Sequence, residues 1–258
     1  MQPISALHPV ALVGAGPGDP ELLTLKALRL IRDATCILHD QLVSEQILGL
    51  SSSAARLVAV GKTGFGPSMP QEAINALMVA EARNGERVVR LKGGDPAVFG
   101  RLDEELCALT EAGLTYEVVP GITTASAAVA GIGQSLTQRG RNGAARLITG
   151  HDIKGYADHD WRALARPGAV TAIYMAKKAA RFLQGRLLMH GAAPDTPVTV
   201  IEHVSRTSER RIVSTVATLA SDLAQAQPEG PAILLLGLAP RALPSEARHP
   251  TSERQETA

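Results

Sequence analysis

Charged side chains that can exchange a proton or bind an anion stand directly after short apolar runs in the first half of the chain. Asp40 and Lys62 each follow such a run, and a carboxylate or an ammonium group there can act as an acid or a base. Arg101, Glu104 and Arg139 come later, and the planar guanidinium of arginine binds carboxylates in a bidentate way. Side chains of these types more often face water, so they become catalytic candidates only if the fold gathers them.

Three turns rich in glycine and proline, at residues 14–20, 92–96 and 120–124, also follow apolar runs. Glycine lets the backbone come close to a ligand, and proline removes an N–H donor and fixes the turn. Each turn is typical of a buried strand that ends and leads into a helix. Ligands bind at the carboxyl edge of open α/β sheets, so the three turns predict one shared crevice.

The first half of the chain alternates strand and helix patterns. Strands are predicted at residues 10–13, 35–39, 56–60, 87–91 and 116–119, and helices at 22–32, 45–50, 71–84 and 103–111. Gly85 and Gly113 are placed to end two of these helices. Such βα alternation indicates a mostly parallel sheet with right-handed crossovers.

The second half has a different pattern, with strands predicted at residues 146–149, 170–175, 198–202, 211–215 and 232–236. The fourth of these strands is predicted to form a hairpin with the third. Because the two strands of a hairpin are antiparallel, the sheet is predicted to be mixed. We therefore predict two α/β domains, 1–122 with a mostly parallel sheet and 123–240 with a mixed sheet, and an active site between them. The polar segment 241–258 is predicted to be disordered.

Composition excludes several classes of protein. The net charge is +1 and aromatic residues make up 3% of the 258 residues, which argues against nucleic-acid binding. No apolar run is long enough to span a bilayer, so we expect a cytoplasmic protein without a membrane partner. The two cysteines, Cys36 and Cys107, are expected to be small buried apolar residues. Neither CxxC nor HExxH occurs, so no metal is expected.

The glycine pattern of the first turn is also similar to a dinucleotide-binding motif. Asp40 follows the next predicted strand, where such a motif has an acid that binds the ribose. The spacing is GxGxG and not GxGxxG, and Pro17 and Pro20 remove N–H groups that a pyrophosphate needs. This interpretation is therefore the weaker one. For Asp95 two roles remain open, a ligand contact or a helix N-cap. Met175, at the end of a strand, has the residue type of a core side chain.

Eight segments follow one another in a characteristic order: VGAGPGDP at 13–20, HDQLV at 39–43, VGK at 60–62, VRLKGGDP at 89–96, FGR at 99–101, VPGIT at 119–123, TGH at 149–151 and YM at 174–175. Taken together, these segments resemble the uroporphyrinogen-III C-methyltransferases of the tetrapyrrole methyltransferase family, and the resemblance runs from about Val10 to Leu238.

The resemblance implies S-adenosylmethionine as the methyl donor, bound between the domains of a homodimer and not on the first glycine turn. It implies cofactor contacts from ten residues: Pro17, Gly93, Gly94, Asp95, Val98, Thr123, Thr124, Met175, Val204 and Ala232. The acid/base positions of the family fall on Asp40 and Lys62. Its substrate-side positions fall on Arg101, Glu104 and Arg139, which would face the eight carboxylates of uroporphyrinogen-III.

The implied reaction is methylation of uroporphyrinogen-III at C2 and C7 to give precorrin-2, the branch point toward sirohaem and cobalamin. Two departures from the family pattern lie on the substrate side, where Gln41 replaces an arginine and Gln138 a histidine. The dehydrogenase–ferrochelatase module of fused sirohaem synthases is not found, so we expect the reaction to stop at precorrin-2. The alternatives are a methyltransferase for a later precorrin, a nucleotide-binding oxidoreductase and a non-catalytic ligand-binding paralogue.

Overall fold

The computed structural model of the protein describes residues 7–61, 69–152 and 155–242. In the N-terminal half, the strands are β1 (Val10–Gly14), β2 (Cys36–His39), β3 (Arg56–Ala59), β4 (Val88–Lys92) and β5 (Tyr116–Val119). The helices are α1 (Leu25–Asp33), α2 (Glu45–Leu48), α3 (Gln71–Arg83) and α4 (Leu102–Glu111). The five strands form one parallel sheet in the order β3-β2-β4-β1-β5.

The central strands β1 and β4 are buried along their whole length because helices cover both faces of the sheet. On one face Val13 packs in a cluster with Ile31 of α1, and on the other Leu12 packs in a cluster with Met78 of α3. The register sets Gly14 of β1 opposite Lys92 of β4. The carboxyl ends of the two central strands, and the turns that follow them, therefore lie side by side.

The C-terminal half comprises α5 (Thr124–Gly131), β6 (Ala145–Thr149), β7 (His151–Asp152), β8 (Gly155–Tyr156), α6 (Trp161–Leu164), β9 (Val170–Tyr174), α7 (Ala180–Met189), β10 (Pro197–Glu202), β11 (Arg210–Thr215), α8 (Leu219–Ala226) and β12 (Ala232–Leu236). The main sheet has the order β11-β10-β12-β9-β6, in which β6 and β9 are parallel and the other pairs antiparallel. Helix α5 packs on one face, and α6, α7 and α8 pack on the other.

The predicted fold class is confirmed, with a parallel sheet followed by a mixed sheet that contains the expected β10–β11 hairpin. The helix predicted at 22–32 begins later, because residues 20–22 form a 3-10 turn and the Thr24 side chain caps α1 by accepting from the Ala27 N–H at 3.1 Å. Of the predicted tail only residues 241–242 are described. None of the described helices combines the length and the apolar character needed to cross a membrane.

The two cysteines differ from the expectation in one case. Cys36 is buried in the sheet, as predicted, but Cys107 is exposed. Helix α4 buries Glu105 and Leu109, and a residue two positions from each of them points to the opposite side of a helix. The apolar interpretation of Cys107 was therefore wrong.

The turns after β1, β4 and β5 pack so tightly that two of their glycines admit no side chain. A Cβ atom on Gly14 would lie 2.5 Å from the Gly121 nitrogen and 2.7 Å from the Gly94 oxygen. A Cβ atom on Gly121 would collide with the same Gly94 oxygen. Since each of these neighbours is backbone, the clash can be relieved only by moving the turns apart.

Gly14→Ala should therefore destabilise the protein by about 1–3 kcal/mol or more, the cost of overpacking a core. Gly185→Ala is the matched control, since Gly185 lies inside α7 with nothing within 4 Å of the added Cβ. The control should stabilise by about 0.5–1 kcal/mol through helix propensity. Urea unfolding of both variants measures the difference, and equal stability would show that the turns can separate without cost.

Candidate active site

A crevice of about 840 Å³ opens between the two sheets, at the carboxyl edge of the N-terminal one. All ten residues that the resemblance assigns to the cofactor line this crevice, and so does Asp40. They come from the β1, β4 and β5 turns of the first half and from the ends of β9, β10 and β12 in the second. The three glycine turns thus converge on one cavity.

Three other sequence candidates lie elsewhere. Arg101 and Glu104 are exposed at the start of α4 and bind each other, with Arg101 Nε 2.7 Å from Glu104 Oε1, and neither lines the crevice. Arg139 is exposed in the 137–143 loop, which lines a separate, open surface depression of about 600 Å³. Lys62 falls outside the described residues. The roles of these four side chains stay predictions.

Several N–H groups of the first glycine turn already donate hydrogen bonds to oxygen atoms of the protein. The Ala15 N–H donates to the Lys92 oxygen at 2.8 Å, and the Gly16 N–H donates to the Gly94 oxygen at 3.1 Å. Pro17 has no N–H, and the Asp19 N–H donates to Ser205 Oγ at 3.1 Å. A pyrophosphate needs such groups free, so this turn is poorly suited to a dinucleotide.

Asp95 ties two of the turns together. Its Oδ1 accepts from the Ala97 N–H at 2.8 Å, and its Oδ2 accepts from the Gly121 N–H at 3.0 Å. No helix begins at Asp95, because the chain turns until α4 starts at Leu102. The helix-cap interpretation was therefore wrong, and Asp95 instead crosslinks the β4 and β5 turns at the wall of the crevice.

Phe99, Tyr174 and Met175 form part of the apolar wall of the crevice. Met175 is 53% exposed and has a φ of 52°, which ends β9 and turns the side chain out of the core. The core interpretation of Met175 was wrong for this reason. Phe99 contacts Tyr174, with ring centroids 5.1 Å apart, and Tyr174 in turn accepts from the Ala125 N–H at 3.1 Å. Aromatic faces of this kind attract a cationic ligand group.

A buried network of four charges lies beneath the crevice. Asp40 Oδ1 accepts from Arg90 Nη2 at 2.5 Å, and Arg90 Nε donates to Glu105 Oε1 at 2.8 Å. Lys92 Nζ donates to both Glu105 oxygens at 2.9 Å. Glu105 is fully buried, Arg90 and Lys92 are nearly so, and the Asp40 side chain is 31% exposed. Two carboxylates and two cations balance, which is what makes their burial tolerable.

The network holds Asp40 in one orientation at the crevice. Arg90 occupies Oδ1 of that carboxylate, and among the described residues no partner occupies Oδ2. Burial and the like charge of Arg90 lower the pKa of Lys92, and Glu105 opposes this shift. Sequence reasoning missed Arg90 and Glu105, although a charged residue inside the apolar run 88–91 is a signal for a buried partner.

The described residues contain no group of histidine, cysteine and acidic side chains able to hold a metal ion. A family model described as Tetrapyrrole (Corrin/Porphyrin) Methylases matches residues 9–220. The chain belongs to this tetrapyrrole methylase family. The two-sheet architecture and the crevice between the sheets are thus features of a family member.

The chain is similar in sequence to several proteins named siroheme synthase. "Siroheme synthase 2" of Aeromonas hydrophila is 46% identical over 228 residues, which cover 88% of this chain and 48% of the relative. "Siroheme synthase 1" of Yersinia pseudotuberculosis is 45% identical over 232 residues, which cover 90% of this chain and 49% of the relative. The chain therefore spans about half the length of the curated relatives it matches.

Two solved structures are similar along nearly the whole chain. The uroporphyrin-III C-methyltransferase of Thermus thermophilus in complex with S-adenosylhomocysteine is 38% identical, with a TM-score of 0.76 and coverage of 89% of this chain and 97% of that one. A cobalt precorrin-4 methyltransferase of cobalamin biosynthesis is 26% identical, with a TM-score of 0.79 and coverage of 88% and 94%.

The adjacent acids Glu104 and Glu105 provide a test of the buried network. Glu105→Gln leaves Lys92 without its counter-charge inside the protein, and breaking a buried pair costs about 3–5 kcal/mol. Glu104→Gln is the matched control on the same helix, and it should change stability little because its ion pair with Arg101 is exposed. Urea unfolding compares the two variants. Equal and small effects would show that the network does not stabilise the fold.

Proposed function

We propose that this protein is an S-adenosylmethionine-dependent methyltransferase that converts uroporphyrinogen-III to precorrin-2 by methylation at C2 and C7. The observation that carries the proposal is the convergence of all ten expected cofactor residues and Asp40 on one crevice. The similar structure that holds S-adenosylhomocysteine and the names of the relatives support both the cofactor and the place in sirohaem and cobalamin biosynthesis.

The crevice suits a nucleoside that carries a sulfonium group. Its volume of about 840 Å³ lies within the usual range of about 300–1,000 Å³ for small-molecule sites. Backbone of the Gly93–Gly94 turn, the hydroxyls of Thr123 and Thr124 and the side chain of Met175 line it, and we propose that these groups hold the cofactor. When bound, S-adenosylmethionine supplies an electrophilic methyl group, so the protein mainly has to align the accepting carbon.

Asp40 is the group that we propose to act on the tetrapyrrole. Its Oδ1 is fixed by Arg90, and its Oδ2 can accept hydrogen bonds from pyrrole N–H groups. A carboxylate there also stabilises the positive charge that develops on the ring as carbon is methylated. For Arg101 to bind a substrate carboxylate, it would have to leave Glu104. We keep Arg101, Glu104, Arg139 and Lys62 as proposed substrate-side or acid/base residues.

Assembly, location and domain limits belong to the same proposal. We propose a cytoplasmic homodimer that binds neither nucleic acid nor membrane. We place the domain division at 122/123, and this is supported by the packing of α5 against the mixed sheet.

A methyltransferase for a later precorrin is the second candidate function. It is favoured by the exposed Gln41 at the crevice wall, where family members often carry arginine.

The proposal is tested first at the level of the ligands. The protein should bind S-adenosylhomocysteine in a calorimeter and give no heat with NAD or NADP, because the first turn has few free N–H groups. Anaerobic incubation with uroporphyrinogen-III and labelled S-adenosylmethionine should yield a tetrapyrrole that carries two added methyl groups. Dinucleotide binding without a response to S-adenosylhomocysteine would overturn the methyltransferase assignment, and methylation of later precorrins alone would favour the second candidate.

Asp40→Asn tests the proposed catalytic group. Asparagine keeps the shape of aspartate but loses the charge and part of the acceptor capacity, so kcat should fall on the order of 10²-fold while S-adenosylhomocysteine affinity is retained. The matched control is Asp103→Asn at an exposed position of α4, which should leave kcat unchanged. A wild-type rate in Asp40→Asn would place the catalytic group elsewhere.

A further inference from the structure

Arg206 is a half-buried arginine that joins the two halves of the molecule at the wall of the crevice. It lies in the loop between β10 and β11 and lines the cavity. Its Nη2 donates to the Leu42 oxygen at 2.5 Å, and its Nε is buried without a hydrogen-bond partner. The stem and Nε lie against Gly18, where an added Cβ would be 2.7 Å from both Cγ and Nε of Arg206. The side chain is thus held in place, and the terminal Nη1 and Nη2 groups are the donors that remain for a ligand.

No carboxylate balances this guanidinium among the described residues. Burial lowers the pKa of Arg206, and no opposite charge opposes the shift. Arg90, by contrast, is deeply buried but contacts two carboxylates. Arginine remains protonated in proteins, and an uncompensated charge removed from water is costly. A ligand that brings a carboxylate to this position would remove the cost.

The loop around Arg206 is fixed before any ligand arrives. Ser205 accepts from the Asp19 N–H of the first turn at 3.1 Å, and the Ser205 N–H donates to Glu209 Oε2 at 2.8 Å. The contact of Arg206 with Leu42 places the guanidinium beside the turn that also carries Asp40 and Gln41, and all of these residues line the crevice. A cation held in this way loses little conformational entropy when it binds an anion.

We propose that Arg206 binds a carboxylate of a ligand in the crevice. The inference rests on the proposed function, which offers two sources of that carboxylate: a peripheral side chain of the tetrapyrrole or the amino-acid end of S-adenosylmethionine. The chemistry of recognition is the same in both cases, an ionic hydrogen bond from a partly desolvated guanidinium. The competing role is purely structural, in which Arg206 only ties the 203–209 loop to Leu42.

Arg206→Met keeps the length of the stem and removes the charge, and Arg206→Lys keeps the charge and removes the fork. Arg181→Met, at an exposed position of α7, is the control. Calorimetry compares S-adenosylhomocysteine with 5′-methylthioadenosine, which has the same nucleoside and thioether but no carboxylate. Steady-state kinetics gives KM for uroporphyrinogen-III at saturating S-adenosylmethionine, and thermal unfolding monitors folding.

If the cofactor supplies the carboxylate, Arg206→Met should weaken S-adenosylhomocysteine binding about 10–100-fold and leave 5′-methylthioadenosine binding unchanged. If the tetrapyrrole supplies it, KM for uroporphyrinogen-III should rise by a similar factor with both nucleoside affinities intact. In either case Arg206→Lys should restore part of the loss and Arg181→Met should behave as wild type. Equal losses for both nucleosides, or no loss in any measurement, would overturn the inference. An inactive wild-type protein would refute the proposed function itself.

Discussion

The buried charge network beneath the crevice depends on the ion pairs that the Glu105 carboxylate makes. This carboxylate lies between Arg90 and Lys92, two cations that β4 carries into the apolar centre of the N-terminal sheet. Without this counter-charge Lys92 would be buried with no ion pair, and Arg90 would keep only Asp40, so the burial of both cations would become costly. With it, Arg90 can reach Asp40 at the crevice, so one residue of α4 fixes a group that we propose to contact the tetrapyrrole. Packing and site chemistry are coupled through this one side chain.

The crevice itself depends on close contact between backbone segments. The β1, β4 and β5 turns meet at Gly14, Gly94 and Gly121, and Asp95 crosslinks two of them. The C-terminal half completes the cavity through Tyr174, which bonds to the start of α5, and through the loop that carries Arg206. Both halves therefore supply walls of the crevice, and ligand sites are often found between two packed units of this kind.

The fold could be predicted from the sequence because strand and helix patterns are local. The crevice could be predicted because the carboxyl ends of parallel strands lie at one edge of the sheet. Pairings across long sequence distances could not be predicted. The spacing of Leu102 and Leu109 places Glu105, and not Glu104, on their face of α4, but nothing near Glu105 in the sequence says that it meets Lys92. The exposure of Met175 depends on a positive φ that the residue type does not suggest. The position of Arg90 inside an apolar run indicated that it needed a partner, but only the fold identified that partner.

Although the net charge is close to zero, the cations near the crevice differ in whether a carboxylate of the protein pairs with them. Arg90 and Lys92 are fully engaged by carboxylates of the protein, and Arg101 is engaged by Glu104 at the surface. None of these is free to neutralise an incoming anion without first breaking a contact. Arg206 carries no such engagement, since its described partner is a neutral carbonyl. The tetrapyrrole that we propose as substrate carries many carboxylates and the proposed S-adenosylmethionine carries one, and cations that the fold leaves unpaired are available to bind them. The paired charges therefore build the site, while Arg206 is one of the crevice cations that no carboxylate of the described residues pairs with, as are Lys177 and Lys178.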